Sequence, residues 1–471
     1  MSTFLTIAHL LLFCAVALRV LSRPQLNASV RTAWVFVLLA LPFFGVLLYL
    51  LIGEIHFGKA DRARSAAAAK ATKALIEASG DAHNLEKWGA ASGFATSING
   101  FGVTSGNRGE LLDSPDIARA RLIADFDAAK TSIDVLYYIW LDDNTGRNVA
   151  AALIRAAARG VKCRAMVDAL GSRALLKSET WRKLKEAGIE TTVALPIGNP
   201  LRTIFERRLD LRNHRKITVI DGEICHCGSQ NCADPEFSPK PKFAPWVDIM
   251  VRFEGPVAWQ MNLLFAQNWL AYHPDAPAVI VNAPPQAKGG IAAQVVGTGP
   301  TIYRDVTAQL FSRLIFEARR ELIISTPYFV LGEVVCAALL GAAFAGVKVT
   351  LIVPRRNDSG FVARASRSYY PQLTAAGVTI AEYNGGLLHS KTLTIDGQMA
   401  FIGSTNMDIR SFDLNFENDI LLRDAALTGA IRQRQMEYCA QSTLVDPAAV
   451  RAWSTRRRIW LNAFATLGPL L

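Results

Sequence analysis

Residues 214–231 read HRKITVIDGEICHCGSQN and residues 389–406 read HSKTLTIDGQMAFIGSTN, so the chain carries one pattern twice. Eight positions are identical, and they include every residue able to act on a phosphate. The repeat extends upstream: residues 151–167 (AALIRAAARGVKCRAMV) answer residues 337–353 (AALLGAAFAGVKVTLIV), and LKEAGI at 184–189 answers LTAAGV at 373–378. Duplication on this scale commits both halves to one supersecondary plan.

That plan is β-α-β. Each Ala-rich stretch has helical periodicity, ends at a glycine suited to a C-cap (Gly160, Gly346) and runs into an apolar strand. A strand precedes each one, at 132–140 and 321–329. Such units take right-handed crossovers and parallel strands covered by helices. The expected fold is therefore α/β: two repeated lobes, 109–272 and 291–446, with mixed, largely parallel sheets flanked by helices. A connector rich in Pro and Ala, 273–290, joins them.

Alternate side chains of a strand share a face, so His214 and Lys216 point one way, as do His389 and Lys391. Asp221 and Asp396 complete a His-x-Lys-x4-Asp pattern and stand with the catalytic set. Their place before Gly222 and Gly397 nevertheless favours a structural role, capping the turn through its own backbone. Gly-Ser-x-Asn follows, ending at Asn231 and Asn406, and a returning strand brings these amides beside the His and Lys as substrate-binding groups. A phosphodiester under attack needs a nucleophile, an acid for the leaving alkoxide and cations on its non-bridging oxygens. A neutral imidazole attacks at physiological pH, and its phosphoryl adduct stays reactive toward an alcohol. One His-x-Lys alone usually marks a solvated strand face; two full copies at identical spacing point to one site.

The formal charge of +11 fits an anionic partner, whether nucleic acid, a phospholipid surface or a phosphorylated substrate. Composition separates these: 51% apolar residues and a mean hydropathy of +0.20 exceed the needs of a soluble chain of 471 residues. The excess lies at the N-terminus, in apolar runs at 4–21 and 33–52 that read as a two-helix transmembrane hairpin within 1–58. Pro42 is tolerable in such a helix, and Arg19 lies near enough to the end to snorkel. A signal peptide is the competing reading of the first run, weakened by the absence of a basic leader and by the second run. Residues 59–108 read as a juxtamembrane linker with a solvated Ala-rich helix near 60–78. The flanking charges place the catalytic part on the cytoplasmic side.

The doubled His-x-Lys-x4-Asp with its Gly-Ser-x-Asn tails resembles the phospholipase D superfamily, from about Gly109 to Leu444. Further stretches resemble bacterial cardiolipin synthases: Asn213-His214-Arg215-Lys216, Trp246-Val247-Asp248 leading to Arg252-Phe253-Glu254-Gly255-Pro256, Thr326-Pro327-Tyr328-Phe329, and Asn406-Met407-Asp408-Ile409-Arg410-Ser411-Phe412 leading to Asn415-Phe416-Glu417. Gly53-Glu54-Ile55-His56-Phe57-Gly58-Lys59 behind the hairpin fits the same group. The resemblance implies transfer of a phosphatidyl group between two phosphatidylglycerol molecules, without metal or cofactor, in the bacterial inner membrane. It implies His214 as nucleophile and His389 as acid and base. It also implies an acidic residue on a following strand to orient each imidazole, for which Asp248 and Glu417 match in that order. A phosphatidylserine synthase or a hydrolytic phospholipase D would share every one of these residues. A nuclease fits the charge alone; no nucleic-acid partner is expected, because a basic groove interleaved with aromatics is missing and the hairpin speaks for lipid.

Three features stand outside this set. Cys225, Cys227 and Cys232 lack C-x2-C spacing and read as packed free thiols, in a chain whose seven cysteines show no disulfide framework. The loop at 234–245, with four prolines, is a candidate pocket rim. Residues 447–471 open with Asp446-Pro447 and read as an amphipathic helix, lying on anionic lipid or docked on the second lobe.

Overall fold

The computed structural model describes residues 3–24, 26–54, 57–79, 88–198, 207–208, 210–276, 279, 284–301 and 305–467. Ile55 and His56 of the 53–59 motif, residues 80–87 of the linker, part of the 273–290 connector and residues 468–471 lie outside that set. Contacts divide the chain into two compact units, 1–62 with 197–211 and 470, and 63–196 with 212–469 and 471.

In the first unit the helix Thr3–Leu21 is, among the described residues, the one long and apolar enough to cross a membrane. The second apolar run does not form a single helix. Ala28–Ala40 opens on Asn27, whose side chain accepts the Val30 N–H at 2.9 Å. It breaks at Pro42, which has no N–H to give and crowds the carbonyl four residues back. Phe43 turns the chain with a φ of 60°, and helix resumes as Phe44–Leu48 and a π-helical turn, Tyr49–Gly53. The hairpin expectation is thus corrected to one full-length apolar helix against a broken partner. Val20, Leu38 and Tyr49 are buried between them, while Phe4, Leu11, Leu18 and Phe36 face outward. Glu54 holds Arg19 at 2.7 Å and also takes Arg23 and the Tyr49 hydroxyl.

In the second unit the first lobe contributes β1 (Thr104–Leu112), β2 (Ser132–Tyr137), β3 (Lys162–Asp168), β4 (Glu190–Ala194), β5 (Arg212–Asn213), β6 (Lys216–Ile220), β7 (Ile224–Gly228), β8 (Trp246–Val247) and β9 (Met250–Glu254). The second contributes β10 (Ile291–Thr298), β11 (Glu321–Ser325), β12 (Phe329–Val330), β13 (Lys348–Pro354), β14 (Thr379–Tyr383), β15 (Leu387–Leu388), β16 (Thr392–Ile395), β17 (Met399–Gly403), β18 (Met407–Asp408), β19 (Asn415–Arg423) and β20 (Ser442–Leu444). The lobes share one sheet, ordered β20-β14-β13-β11-β16-β17-β19-β10-β1-β9-β7-β6-β2-β3-β4. Read from the β10–β1 seam, the two directions mirror each other, so the sequence repeat is also a structural one. The expected parallel pairing belongs to β2-β3-β4 and β11-β13-β14; the motif hairpins and the seam pair antiparallel, and the sheet is mixed.

Both glycine caps form. Gly160 and Gly346 take φ near +90°, and in each copy the next residue's N–H (Val161, Val347) reaches back to Ala156 or Ala342, a Schellman closure that aims the chain into the next strand. The helix Pro256–Leu270 is buried along nearly its whole length, packing Trp259, Leu264 and Phe265 against strands of both lobes, Val251 and Phe253 from one, Val295 and Ile420 from the other. At about 1.5–3 kcal/mol for each large apolar side chain buried, this helix couples the lobes strongly.

Residues 59–108 are not a free linker. Ala68, Thr72 and Ile76 are buried, and Gln267 donates to the Thr72 hydroxyl at 3.0 Å. The helix Ala90–Asn99 packs on the second lobe, where Ser92 donates to Gln294 at 2.8 Å and Glu317 accepts the Ala91 N–H. The C-terminal helix is two, Pro447–Arg451 and Thr455–Thr466, docked on the second lobe through Val450, Leu461 and Phe464. Ile459 and Trp460 stay exposed.

Candidate active site

β6 runs antiparallel to β2 with Lys216 opposite Tyr137, and β16 runs antiparallel to β11 with Thr392 opposite Ser325. Both motif histidines therefore sit beyond the carboxyl ends of β2 and β11, the edge where α/β sheets bind ligands. The chain approaches each histidine by crossing to the other lobe. β5 pairs with β19, and the His214 N–H donates to the Phe416 carbonyl at 3.0 Å. β15 pairs with β8, and the His389 N–H donates to the Val247 carbonyl at 2.8 Å.

The carboxylates follow this exchange. His214 Nδ1 lies 2.8 Å from Glu417, and His389 Nδ1 lies 2.6 Å from Asp248. The order read from sequence, Asp248 with the first motif and Glu417 with the second, is therefore corrected: each acid serves the other lobe's imidazole. The cause is local, since β8 and the start of β19 pair with the incoming segment of the opposite motif. Ser229 donates to Asp248 at 2.6 Å and Ser404 donates to Glu417, so the serine of each Gly-Ser-x-Asn fixes the acid. With Nδ1–H given to a carboxylate, each ring turns its Nε2 lone pair to the site. Lys216 and Lys391 are buried beside them, each donating to the carbonyl of its own histidine, at 2.8 and 2.6 Å, and the Lys216 ammonium lies 3.3 Å from His214 Nε2.

Sequence reasoning missed the ring walls. Tyr138 stands edge-on to His214 with centroids 4.8 Å apart, and Trp246 lies 4.5 Å from His389. Phe237 of the 234–245 loop stacks on Trp246 at 3.8 Å, which gives that loop its place beside the site. Asn231 accepts the Ile139 N–H at 3.3 Å, and Asn406 donates to Ser411 at 3.1 Å, its own oxygen buried without a partner. These bonds brace neighbouring loops. His226 faces Asp125 at 2.7 Å, while Cys225, Cys227 and Cys232 are buried free thiols.

Asp221 and Asp396 lie at the far end of β6 and β16, away from the histidines. Each sits in a left-handed turn, φ 53°, with its glycine. The Asp221 carboxylate accepts N–H bonds from Lys130, Thr131 and Ser132, and Asp396 from Arg319, Arg320 and Glu321. Both the catalytic placement and the own-turn cap are corrected: these groups clamp the start of β2 and β11. Burial pushes the Asp396 carboxyl up, but these amides overcome it and hold it below its ordinary value. Its stabilisation is thus complete at neutral pH and fades as pH falls below about 4. Asp396→Asn is expected to lose about 1–2 kcal/mol of stability, read by denaturant melts, with turnover of the folded protein kept. A large drop in turnover without loss of stability would return Asp396 to the chemistry.

Residues 122–241 and 311–437 match the family described as "Cardiolipin synthase, PLD-like domain", and residues 11–54 match "Phospholipase D-nuclease N-terminal". Cardiolipin synthase A of Edwardsiella ictaluri is 36% identical, with all of both chains covered, and that of Citrobacter koseri is likewise 36% identical over all of both. The chain belongs to the cardiolipin synthase family. It is a membrane-associated phosphatidyltransferase of the phospholipase D superfamily. The fold is also that of a phosphatidylserine synthase from Haemophilus influenzae, at TM-score 0.55 and 14% identity over 76% of this chain and 93% of that one.

The charges of this family member's site are set by burial. Burial, then Lys216 and Lys391, hold His214 well below the ordinary imidazole range; burial and Lys391 push His389 down to about 4 against the pull of Asp248. Both rings are neutral in the free enzyme. Asp248 resists burial through His389 and Lys391 and falls to about 2, whereas burial lifts Glu417 to about 7 in spite of Lys216. Burial also lowers Lys216 to about 8, so its positive charge is lost above that pH. Burial, then Lys216, holds Lys391 well below its ordinary value too, so the expected kcat/KM declines on an alkaline limb as the two lysines lose charge, and Lys216→Arg, which keeps its charge, moves that limb upward. A profile flat to pH 10 would remove Lys216 from the phosphate.

Proposed function

We propose that this enzyme joins two phosphatidylglycerol molecules into cardiolipin and releases glycerol through a phosphatidyl-histidine intermediate. The observation that carries the reading is the pair of buried imidazoles, each with Nδ1 on the other lobe's carboxylate. His214 Nε2 attacks the donor phosphorus, and the P–O bond to glycerol breaks as His389 gives that oxygen its proton. The anionic diester supplies what the free enzyme lacks, since its charge raises the affinity of His389 for that proton. Lys216 and Lys391 offset charge on the non-bridging oxygens. The acceptor hydroxyl then yields its proton to His389, its oxygen bonds phosphorus, and the P–N bond breaks. Exclusion of bulk water by Tyr138, Trp246 and their neighbours favours the alcohol over hydrolysis.

The site works at the bacterial inner membrane, with its catalytic unit toward the cytoplasm. Asn231 and Asn406 contribute to substrate binding by turning an amide N–H to the phosphate when it is bound. The test is purified protein with phosphatidylglycerol alone. Cardiolipin and glycerol are expected in equal amounts; phosphatidic acid as the main product would make the enzyme a hydrolase.

A further inference from the structure

A solvent-open cleft of about 400 Å³ is lined in part by Gly386, three residues before His389 in the chain. One wall is Lys242, Phe243 and Pro245 of the first lobe; the other is Arg355, Arg356 and Tyr383 of the second. Arg355 and Arg356 directly follow the carboxyl end of β13, and Tyr383 ends β14, so the cleft opens at the sheet edge that carries the histidines. Its walls are also the approaches to the site: Pro245 leads through β8 to Asp248, and Gly386 leads through β15 to His389. Three extended residues span roughly 10 Å. Gly386, at φ 118°, lets the walls close, because a Cβ there would meet the Pro245 carbonyl oxygen at 2.3 Å.

The three cations have no carboxylate partner among the described residues. Arg355 donates to Asn384 at 3.1 Å and to Thr443, Arg356 donates to the Lys242 carbonyl at 3.1 Å, and the Lys242 ammonium lies 5.2 Å from the Phe243 ring centroid. The acids nearby are taken: Asp358 by Lys240 and Tyr328, Glu382 by Arg367 and Tyr370. A cleft lined with unspent positive charge and two aromatic faces suits a phosphate flanked by a small polyol.

We infer that this cleft is the acceptor subsite, holding the phosphodiester of the second phospholipid while its free hydroxyl reaches the phosphatidyl group on His214. The inference rests on the transfer proposed above. That transfer brings two phosphates together, joined in the product by one glycerol, and Lys216 and Lys391 serve only the first. Without its own cations the second anion would be repelled by the first. Glycerol, the leaving group, has no phosphate and re-enters by the reverse of the first step, so it reads the histidine chemistry without the cleft.

The test uses full-length enzyme with phosphatidylglycerol in mixed micelles and labelled glycerol, following cardiolipin formation and label exchange into phosphatidylglycerol together. In the Lys242→Gln/Arg356→Gln protein the ratio of cardiolipin formed to glycerol exchanged is expected to fall at least tenfold, while Lys242→Arg/Arg356→Lys keeps it within about twofold. An unchanged ratio in the glutamine protein, or an equal loss of both activities that the charge-conserving protein shares, overturns the assignment. Inorganic phosphate separates the sources: strong inhibition of cardiolipin formation by millimolar phosphate in wild type, absent in the glutamine protein, would make the cleft a free-phosphate site. Wild type that exchanges glycerol yet forms no cardiolipin sinks the transfer reading itself, an outcome distinct from a changed ratio.

Discussion

His214→Ala and His389→Ala are each expected to lower phosphatidyl transfer by at least about a thousandfold, and the double variant to be no worse than either single one. The two rings stand in one site because each lobe's approach to its histidine is a strand of the other lobe's edge, and each Nδ1 is held by the other lobe's acid. Neither half retains a working set when one ring is lost: without His214 nothing takes the phosphatidyl group, and without His389 the glycerol oxygen leaves unprotonated. Groups that act as a unit give losses that do not add. Thermal melts guard against a folding defect, since a His to Ala change at a buried carboxylate leaves Asp248 or Glu417 without its partner. More than about a tenth of wild-type activity in either single variant would mean that each motif works alone.

The repeat made the fold legible. Helix, glycine cap and buried strand recur with the same spacing, and period-two patterning placed His214 with Lys216 and His389 with Lys391 before any coordinates. What the sequence concealed is the exchange between lobes. Asp248 follows the first motif in the chain and reads as its partner, but chain order carries no information on which lobe's edge β8 joins. Ser229 and Ser404 fix the carboxylates of their own lobes, a role that the Gly-Ser-x-Asn spacing does not reveal. Asp221 and Asp396 belong to the motif by spacing, yet their targets, the amides at 130–132 and 319–321, are distant in sequence and invisible to a turn rule. The N-terminal run was misread for another reason: hydropathy counts residues and does not see that Pro42 forbids one continuous helix. Burial of Ala68 and Ile76 was equally hidden, because an Ala-rich helix looks the same whether it faces solvent or a neighbour.

The second large effect is a switch from turnover to accumulation. In His389→Ala protein the acid is missing, but a donor whose leaving group departs without a proton still loads His214. The adduct then persists, because the group removed is also the base that activates the acceptor alcohol. Neutral His214, kept so by burial and its two lysines, is the ring ready to attack. The measurement is mass spectrometry of peptides from rapidly quenched His389→Ala enzyme, kept above acidic pH to preserve the phosphorus–nitrogen bond. A stoichiometric phosphatidyl adduct on the peptide holding His214, with none on either ring in the His214→Ala protein, is the predicted result. An adduct on His389 in the His214→Ala protein, with His214 unmodified in the converse variant, would contradict the account.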